Sequence, residues 1–350
     1  MKIPATMRAV RKLMPGAGLQ LVSVPVPTPG PRDVLIRVRA AGICGTDYHI
    51  YTWDAWSQQR IKPALTIGHE FVGEIVVCGS EVHTLEPGMR VSAEGHVTCG
   101  ICKFCRTGRG HICRAVKGLG VDCDGCFAEY VVVPEHNVWR VPSEVPDRHA
   151  AVYDPLGNAM HTAMAASLSL RTVLIMGAGA IGLFAVAIVK VAGAALVIVV
   201  EPNQYKRTLA AEVGADVVLD PASDDVLARV SDLTDGYGPD VILEMSGNPK
   251  AMQQAFRLLG NGGEICLLGI PAGGVQVDWA EDIMFKGITI HGITGRRMFE
   301  TWYYVDEFLL RHGARIDPCI THVLPFEQIE EGFALMRAGT CGKIVLEFPI

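Results

Sequence analysis

RTVLIMGAGAIGLFAVAIVKVAGAALVIVVEPNQYKR, residues 171–207, decides the fold. It opens on a short β-branched run and passes through Gly177-Ala-Gly179-Ala-Ile181-Gly182. An amphiphilic stretch with an apolar face follows, then a second apolar run closed by Glu201. A bare G-x-G-x-x-G says little. Here it follows a predicted strand and opens a predicted helix, and an acid closes the next strand about 20 residues on, which completes the dinucleotide-binding fingerprint. Gly177 allows the tight turn, Gly179 lets a pyrophosphate approach the backbone, and Gly182 lets helix and strand pack closely, with the helix N-terminus toward the phosphates. Glu201 can accept from the ribose hydroxyls and would repel a 2′-phosphate, so NAD is expected over NADP, with Lys206 near enough to soften the preference. The candidate cofactor contacts in this stretch are Gly177, Gly179, Ile181, Gly182, Glu201 and Lys206.

The alternation continues downstream. Strands are expected at 216–220, 240–247, 263–271 and 288–294, with helices at 222–234 and 249–261. Alternating strands and helices make a doubly wound parallel sheet, and ligands bind at the carboxyl ends of its strands. That rule places Ser246, Leu268, Gly269, Ile270, Ile293 and Thr294 near the cofactor cleft.

The first ~155 residues read differently, as short β-like runs (34–41, 70–79, 128–133) between Pro- and Gly-rich turns, an irregular β-rich domain. The last ~45 residues, too short for a domain by the usual size of ~100–200 residues, are expected to return to it. A chain of 350 residues with 49% hydrophobic content has room for more than one core. The net charge is −6 with no basic cluster, which argues against nucleic acid or an anionic membrane as partner. The apolar stretch at 180–200 is interrupted by Lys190 and Gly193, so no membrane span is expected, and the first ten residues carry no secretory h-region. Eleven cysteines, an odd number, suit a reducing, cytoplasmic compartment.

Four of those cysteines, Cys99, Cys102, Cys105 and Cys113, fall at C-x2-C-x2-C-x7-C within EGHVTCGICKFCRTGRGHIC (94–113). In a reducing compartment such a cluster binds metal more often than it forms disulfides. Four thiolates complete a tetrahedral zinc site and leave no position for substrate, so its expected role is structural. Cys123 and Cys126 read as two ordinary thiols in a turn. Upstream, AGICGTDYHIY (41–51) and IGHEFVGEI (67–75) offer a thiolate in Cys44, an imidazole in His69 and a carboxylate in Glu70. Together they resemble a zinc site with an open position. On an extended strand His69 and Glu70 would point to opposite faces; both can ligate only if the chain turns there, which Gly68 makes plausible. Spacing alone leaves a core histidine as the simpler reading.

C-G-T-D, then G-H-E, then a four-cysteine lobe, then G-x-G-x-x-G resembles the zinc-containing medium-chain alcohol dehydrogenase family, over essentially the whole chain and in order. The stretches 44–56, 92–114, 153–163 and 295–303 resemble the bacterial branch of that family that oxidises L-threonine. The resemblance implies an α/β chain: a β-rich GroES-like catalytic domain (1–155, lobe at about 92–115), a Rossmann domain (156–296) and a returning segment (297–350). It implies two zinc ions, one catalytic on Cys44, His69 and Glu70 and one structural on Cys99, Cys102, Cys105 and Cys113. It further implies NAD, a proton relay through Thr46 and His49, an assisting acid in Asp154, a cytoplasmic location and a homotetramer. Arg297 and Thr294 stand where relatives often carry an acid and an aromatic. A zwitterionic substrate needs partners for its ammonium and carboxylate, and the candidates are Asp154 and Arg296. Two alternatives stay open: a polyol or secondary-alcohol dehydrogenase with the same metal and cofactor, and a non-enzymatic zinc module that binds through the lobe.

Overall fold

The computed structural model describes residues 3–349. Six strands form a wholly parallel sheet in the order Val217–Leu219, Leu196–Val200, Thr172–Met176, Val241–Glu244, Glu264–Leu267, Thr289–Gly292. Numbered along the chain that order is 3-2-1-4-5-6, so the strand order reverses between Thr172–Met176 and Val241–Glu244, the point where a crevice forms at the strand ends. Gly177 stands at that point with φ +95°, a conformation closed to most side chains. A Cβ on Gly182 would run into the Gly177 carbonyl, so the helix Ala180–Val191 seats against the turn only because Gly182 lacks one. The strands are buried apolar runs, as a sheet covered on both faces requires.

A second, seven-stranded sheet orders Val138–Arg140, Arg90–Ala93, Glu70–Cys78, Asp33–Ile43, Lys343–Glu347 and Ile320–Pro325, with Tyr130–Pro134 also paired to Asp33–Ile43. The C-terminal residues therefore rejoin the N-terminal part: Lys343–Glu347 pairs antiparallel with Asp33–Ile43, Ile344 opposite Ile43. The helix Tyr153–Met164 ties the sheets together, since its Leu156 and Ala159 share one core cluster with Ala40 and Val72 on one side and Ile175 and Leu183 on the other.

Several elements were not foreseen from the sequence, two helical ones among them. The helix Glu300–His312 packs on Tyr153–Met164 with Trp302, Val305 and Leu309 buried. A single π-helical turn, Trp279–Met284, precedes the last strand of the parallel sheet. The strands are also shorter than expected: 263–271 yields only Glu264–Leu267, after which the backbone N–H groups of Leu268 and Gly269 both turn onto the single Glu244 carbonyl. Among the described residues no helix is long and apolar enough to cross a membrane.

Candidate active site

Cys44 lies just past the strand Asp33–Ile43, at the N-cap of the helix Gly45–Thr52. His69 and Glu70 arrive from a neighbouring strand, Glu70 standing opposite Gly42 in the register. The turn that adjacent ligands require is present: Gly68 has φ +91°, and a side chain there would collide with the Phe127 ring. As a result one ligand atom each from Cys44, His69 and Glu70 lies within 4.8 Å of the others. Glu70 is buried, and its Oε1 has no hydrogen-bond partner among the described residues. A buried carboxylate oxygen without a partner is costly unless a cation completes it. Thiolate, imidazole and carboxylate are zinc's usual donors, and three of them leave a fourth position open.

Groups behind these three hold them in place. Asp47 is fully buried; its Oδ2 accepts from the Cys44 backbone N–H at 2.9 Å, and its Oδ1 stands 3.9 Å from His69 Nδ1. Burial pushes the Asp47 carboxyl up to about 6, against the opposing pull of His69. For His69, burial works against the charged imidazole, but Cys44, Asp47 and Asp154 outweigh it and hold the ring well above its ordinary value. The buried ammonium of Lys343 pairs with Glu70 and donates to the Ile43 carbonyl at 2.7 Å. Gly42 leaves room for that pair, since a Cβ there would meet Lys343 Cε at 2.9 Å. Sequence reading missed Asp47 and Lys343. The available signal was a lone lysine opening the otherwise apolar run KIVL at 343–346.

Asp154 sits in the first turn of Tyr153–Met164, close to the three ligands but outside their group. Its Oδ1 is 2.7 Å from Arg296 Nη1. This corrects the expectation for Arg296, which is fully buried with its fork filled by Glu94, Asp154 and Asn158 and is therefore not a receptor for a substrate carboxylate at the cleft edge. Asp154 is engaged through Oδ1 alone. Glu94 is held well below the usual carboxylate range because Arg296 and His96 outweigh the effect of its burial. Thr46 is half-buried on Gly45–Thr52. His49, three residues on and largely exposed, shares its Nδ1 with Asp54 Oδ2 at 2.6 Å.

The glycine turn separates two cavities. One, of 730 Å³, is lined by Gly177, Gly179, Glu201, Lys206 and Ser246. The other, of 280 Å³, runs from Gly179, Ile181, Gly182 and Lys206 to Cys44, Glu70 and Lys343. The cofactor candidates of the glycine turn, with Glu201 and Lys206, thus face the same crevice as Cys44 and Glu70. Glu201 accepts from the backbone N–H groups of Ala178 at 2.7 Å and Asn203 at 2.9 Å, which fixes its carboxylate at the crevice wall. Leu268, Gly269 and Ile270 follow the fifth strand, with the Ile270 backbone against Gly247, outside the linings of both cavities. Ile293 and Thr294 line a third space of 630 Å³, bounded by Arg109, His111 and Arg297.

In the lobe the four sulfurs face one another. Cys99–Cys113 and Cys102–Cys105 are 3.5 Å apart, Cys102–Cys113 3.9 Å and Cys99–Cys105 4.0 Å. Four thiolates bonded at about 2.3 Å to one tetrahedral ion would stand about 3.8 Å apart, so the set fits zinc with no open side. Backbone N–H groups of Cys99 and Ala115 point at Cys113 Sγ, and such donors hold the Cys113 thiol below its usual value. Cys123 and Cys126 donate instead to the separate carbonyls of Gly118 and Glu70, as ordinary thiols do.

Residues 180–311 match the zinc-binding dehydrogenase family, and residues 30–143 match the alcohol dehydrogenase GroES-like domain. The chain belongs to the zinc-binding dehydrogenase family, an oxidoreductase of the zinc- and nicotinamide-dependent kind. It is 50% identical over 343 residues to an L-threonine 3-dehydrogenase of Symbiobacterium thermophilum, covering 97% of both chains. It is 49% identical to the L-threonine 3-dehydrogenase of Pyrococcus horikoshii, covering 97% of this chain and 98% of the other. Among solved structures, a zinc-binding dehydrogenase of Sinorhizobium meliloti bound to NADP superposes with a TM-score of 0.90 at 32% identity, covering 98% of this chain and 100% of that one.

Proposed function

We propose that the chain is an NAD- and zinc-dependent L-threonine 3-dehydrogenase, converting L-threonine and NAD to 2-amino-3-oxobutanoate, NADH and a proton. The observation that carries the reaction class is the 280 Å³ cavity in which Cys44 and Glu70 share walls with the Gly179–Gly182 turn. It would put the residues that would hold the metal and the turn that would hold the cofactor around one space. The substrate follows from the full-length relatives above.

When bound, zinc supplies Lewis acidity toward the substrate hydroxyl and NAD supplies the hydride acceptor. The chain's own share is holding and proton transfer. Cys44, His69 and Glu70 would hold the catalytic zinc, and Cys99, Cys102, Cys105 and Cys113 the structural one. Thr46 passes the hydroxyl proton toward His49. Asp54, tied by the Ser57 N–H at 2.9 Å, takes the Nδ1–H of His49 and leaves Nε2 free to receive that proton and hand it to solvent. Glu201 holds the adenosine ribose, with Gly177, Gly179, Ile181, Gly182 and Lys206 around the pyrophosphate. Leu268 to Ile270, Ile293 and Thr294, which stand outside both cavities, would reach the nicotinamide end only if the crevice closes on the cofactor.

We also assign a homotetramer in the cytoplasm. The outer strand Thr289–Gly292 is an unpaired edge, and Trp279, Met284, Phe285 and Ile290 around it are exposed, a surface suited to a second copy. The free thiols suit a reducing compartment. Rates of NADH formation over L-threonine, D-threonine, L-serine, 2-butanol, 2,3-butanediol and sorbitol test the proposal. L-Threonine is expected to have the highest kcat/KM, with L-serine behind it by the ~1–3 kcal/mol that one methyl is worth. A faster diol would replace the proposal with a polyol dehydrogenase.

A further inference from the structure

Arg296 joins two carboxylates from distant parts of the chain. Its Nε donates to Glu94 Oε2 at 2.9 Å and its Nη2 pairs with Glu94 Oε1. Its Nη1 lies 2.7 Å from Asp154 Oδ1 and 3.2 Å from Asn158 Oδ1. Glu94 is itself fixed: Trp302 Nε1 donates to its Oε2 at 3.0 Å, and the His96 backbone N–H donates to Oε1 at 3.0 Å. The arginine stem crosses the helix Tyr153–Met164 at Gly157, where a Cβ would stand 2.5 Å from Arg296 Cδ. The second oxygen of Asp154, Oδ2, turns toward the metal candidates. A Cβ built on Gly95 would lie 3.5 Å from that oxygen and 3.5 Å from His69 Cβ.

A carboxylate beside a divalent cation is a ready fourth ligand, and a fourth protein ligand would close the position a substrate needs. Asp154 nevertheless lies outside the group whose ligand atoms converge. We infer that Arg296 is a positioning residue that holds Asp154 back, so that the site keeps three protein ligands and an open place for substrate. The anchor on Glu94 gives the fork its leverage: bound through two nitrogens on one side, it cannot follow Asp154 toward the metal. Lysine, a point charge on a flexible stem, would not clamp both acids. The inference rests on the reading of Cys44, His69 and Glu70 as metal ligands.

Cobalt(II) substituted into the protein reports the ligand set through its visible absorption bands, and the lobe's contribution cancels between variants. Asp154→Asn alone is expected to leave the wild-type bands in place. Arg296→Met should shift them, and Arg296→Met combined with Asp154→Asn should remove that shift. Gly157→Ala keeps every charge and displaces only the arginine stem; it should shift the bands in the same direction, and it decides the matter if Arg296→Met does not fold. Unshifted bands in Gly157→Ala, or in a folded Arg296→Met, would overturn the inference. So would a shift in Asp154→Asn alone, which would make Asp154 a resident ligand. Bands indifferent to Cys44→Ser would overturn the metal reading beneath it, and the spectra do not depend on which alcohol the protein oxidises.

Discussion

The two clusters able to hold a metal differ in how they are assembled. The lobe takes its four sulfurs from residues 99–113, a single local loop, and turns all of them inward. The other cluster takes Cys44 from the end of one strand and His69 and Glu70 from a turn before another. It leans on Lys343 from a third strand and approaches Asp154 from a helix. The first is closed, with sulfur facing sulfur on every side. The second opens on the crevice that also holds the glycine turn. A closed, local set contributes stability; an open set drawn from distant segments can do chemistry, since only there can a substrate reach the ion.

Substituting one cysteine in each cluster tests this contrast most severely. Cys44→Ala is expected to bring NADH formation to background while leaving the circular dichroism and Tm close to wild type. Cys102→Ala should instead lower Tm and soluble yield, because a structural zinc contributes directly to folding. Zinc analysis should find one ion fewer in each. Equal stability losses from the two variants would erase the distinction.

The next effect in size concerns the open side alone. His49→Ala should slow turnover by ~10²–10⁴-fold at neutral pH, the usual contribution of a positioned acid–base group. The deficit should shrink at high pH, where solvent base takes the proton directly. A pH–rate profile parallel to wild type would make His49 a surface residue.

The smallest expected effect sharpens the border between the clusters, where Glu94 stands at the root of the lobe and grips Arg296. The carboxyl of Glu94 is held below its unfolded value, so its contribution to stability is full above about pH 4.3, the ordinary glutamate value, and fades as the pH falls through the lowered one. Glu94→Gln should therefore destabilise by about 3 kcal/mol at pH 7, the usual size for breaking a buried pair, and by less in acid. Thermal melts at pH 7 and at about pH 2, between the ordinary and the lowered value, compare the two. An equal loss at both would show that packing, and not charge, carries the contact.

What the sequence determined by itself was everything carried by short spacing. The strand–turn–helix around Gly177, Gly179 and Gly182, the alternation behind the parallel sheet and the convergence of four cysteines all depend on neighbours within a few tens of residues. Backbone geometry and the positions of side chains along it decide such features locally. Cys44, His69 and Glu70 could be named from motifs, but their meeting depended on the pairing of Asp33–Ile43 with Glu70–Cys78 and on the turn at Gly68. What only the tertiary structure decided was which charges meet. Lys343 reaches Glu70 across 273 residues of chain, since the last strand inserts beside Asp33–Ile43, and Arg296 reaches Glu94 across 202 because the helix Glu300–His312 folds back onto Tyr153–Met164. Read along the chain, Arg296 is a cation near a cleft, suited to a substrate carboxylate. Once folded, it is buried between two acids. Removing a charge from water is so unfavourable that the partner brought to it by packing, and not its place in the sequence, sets what it binds.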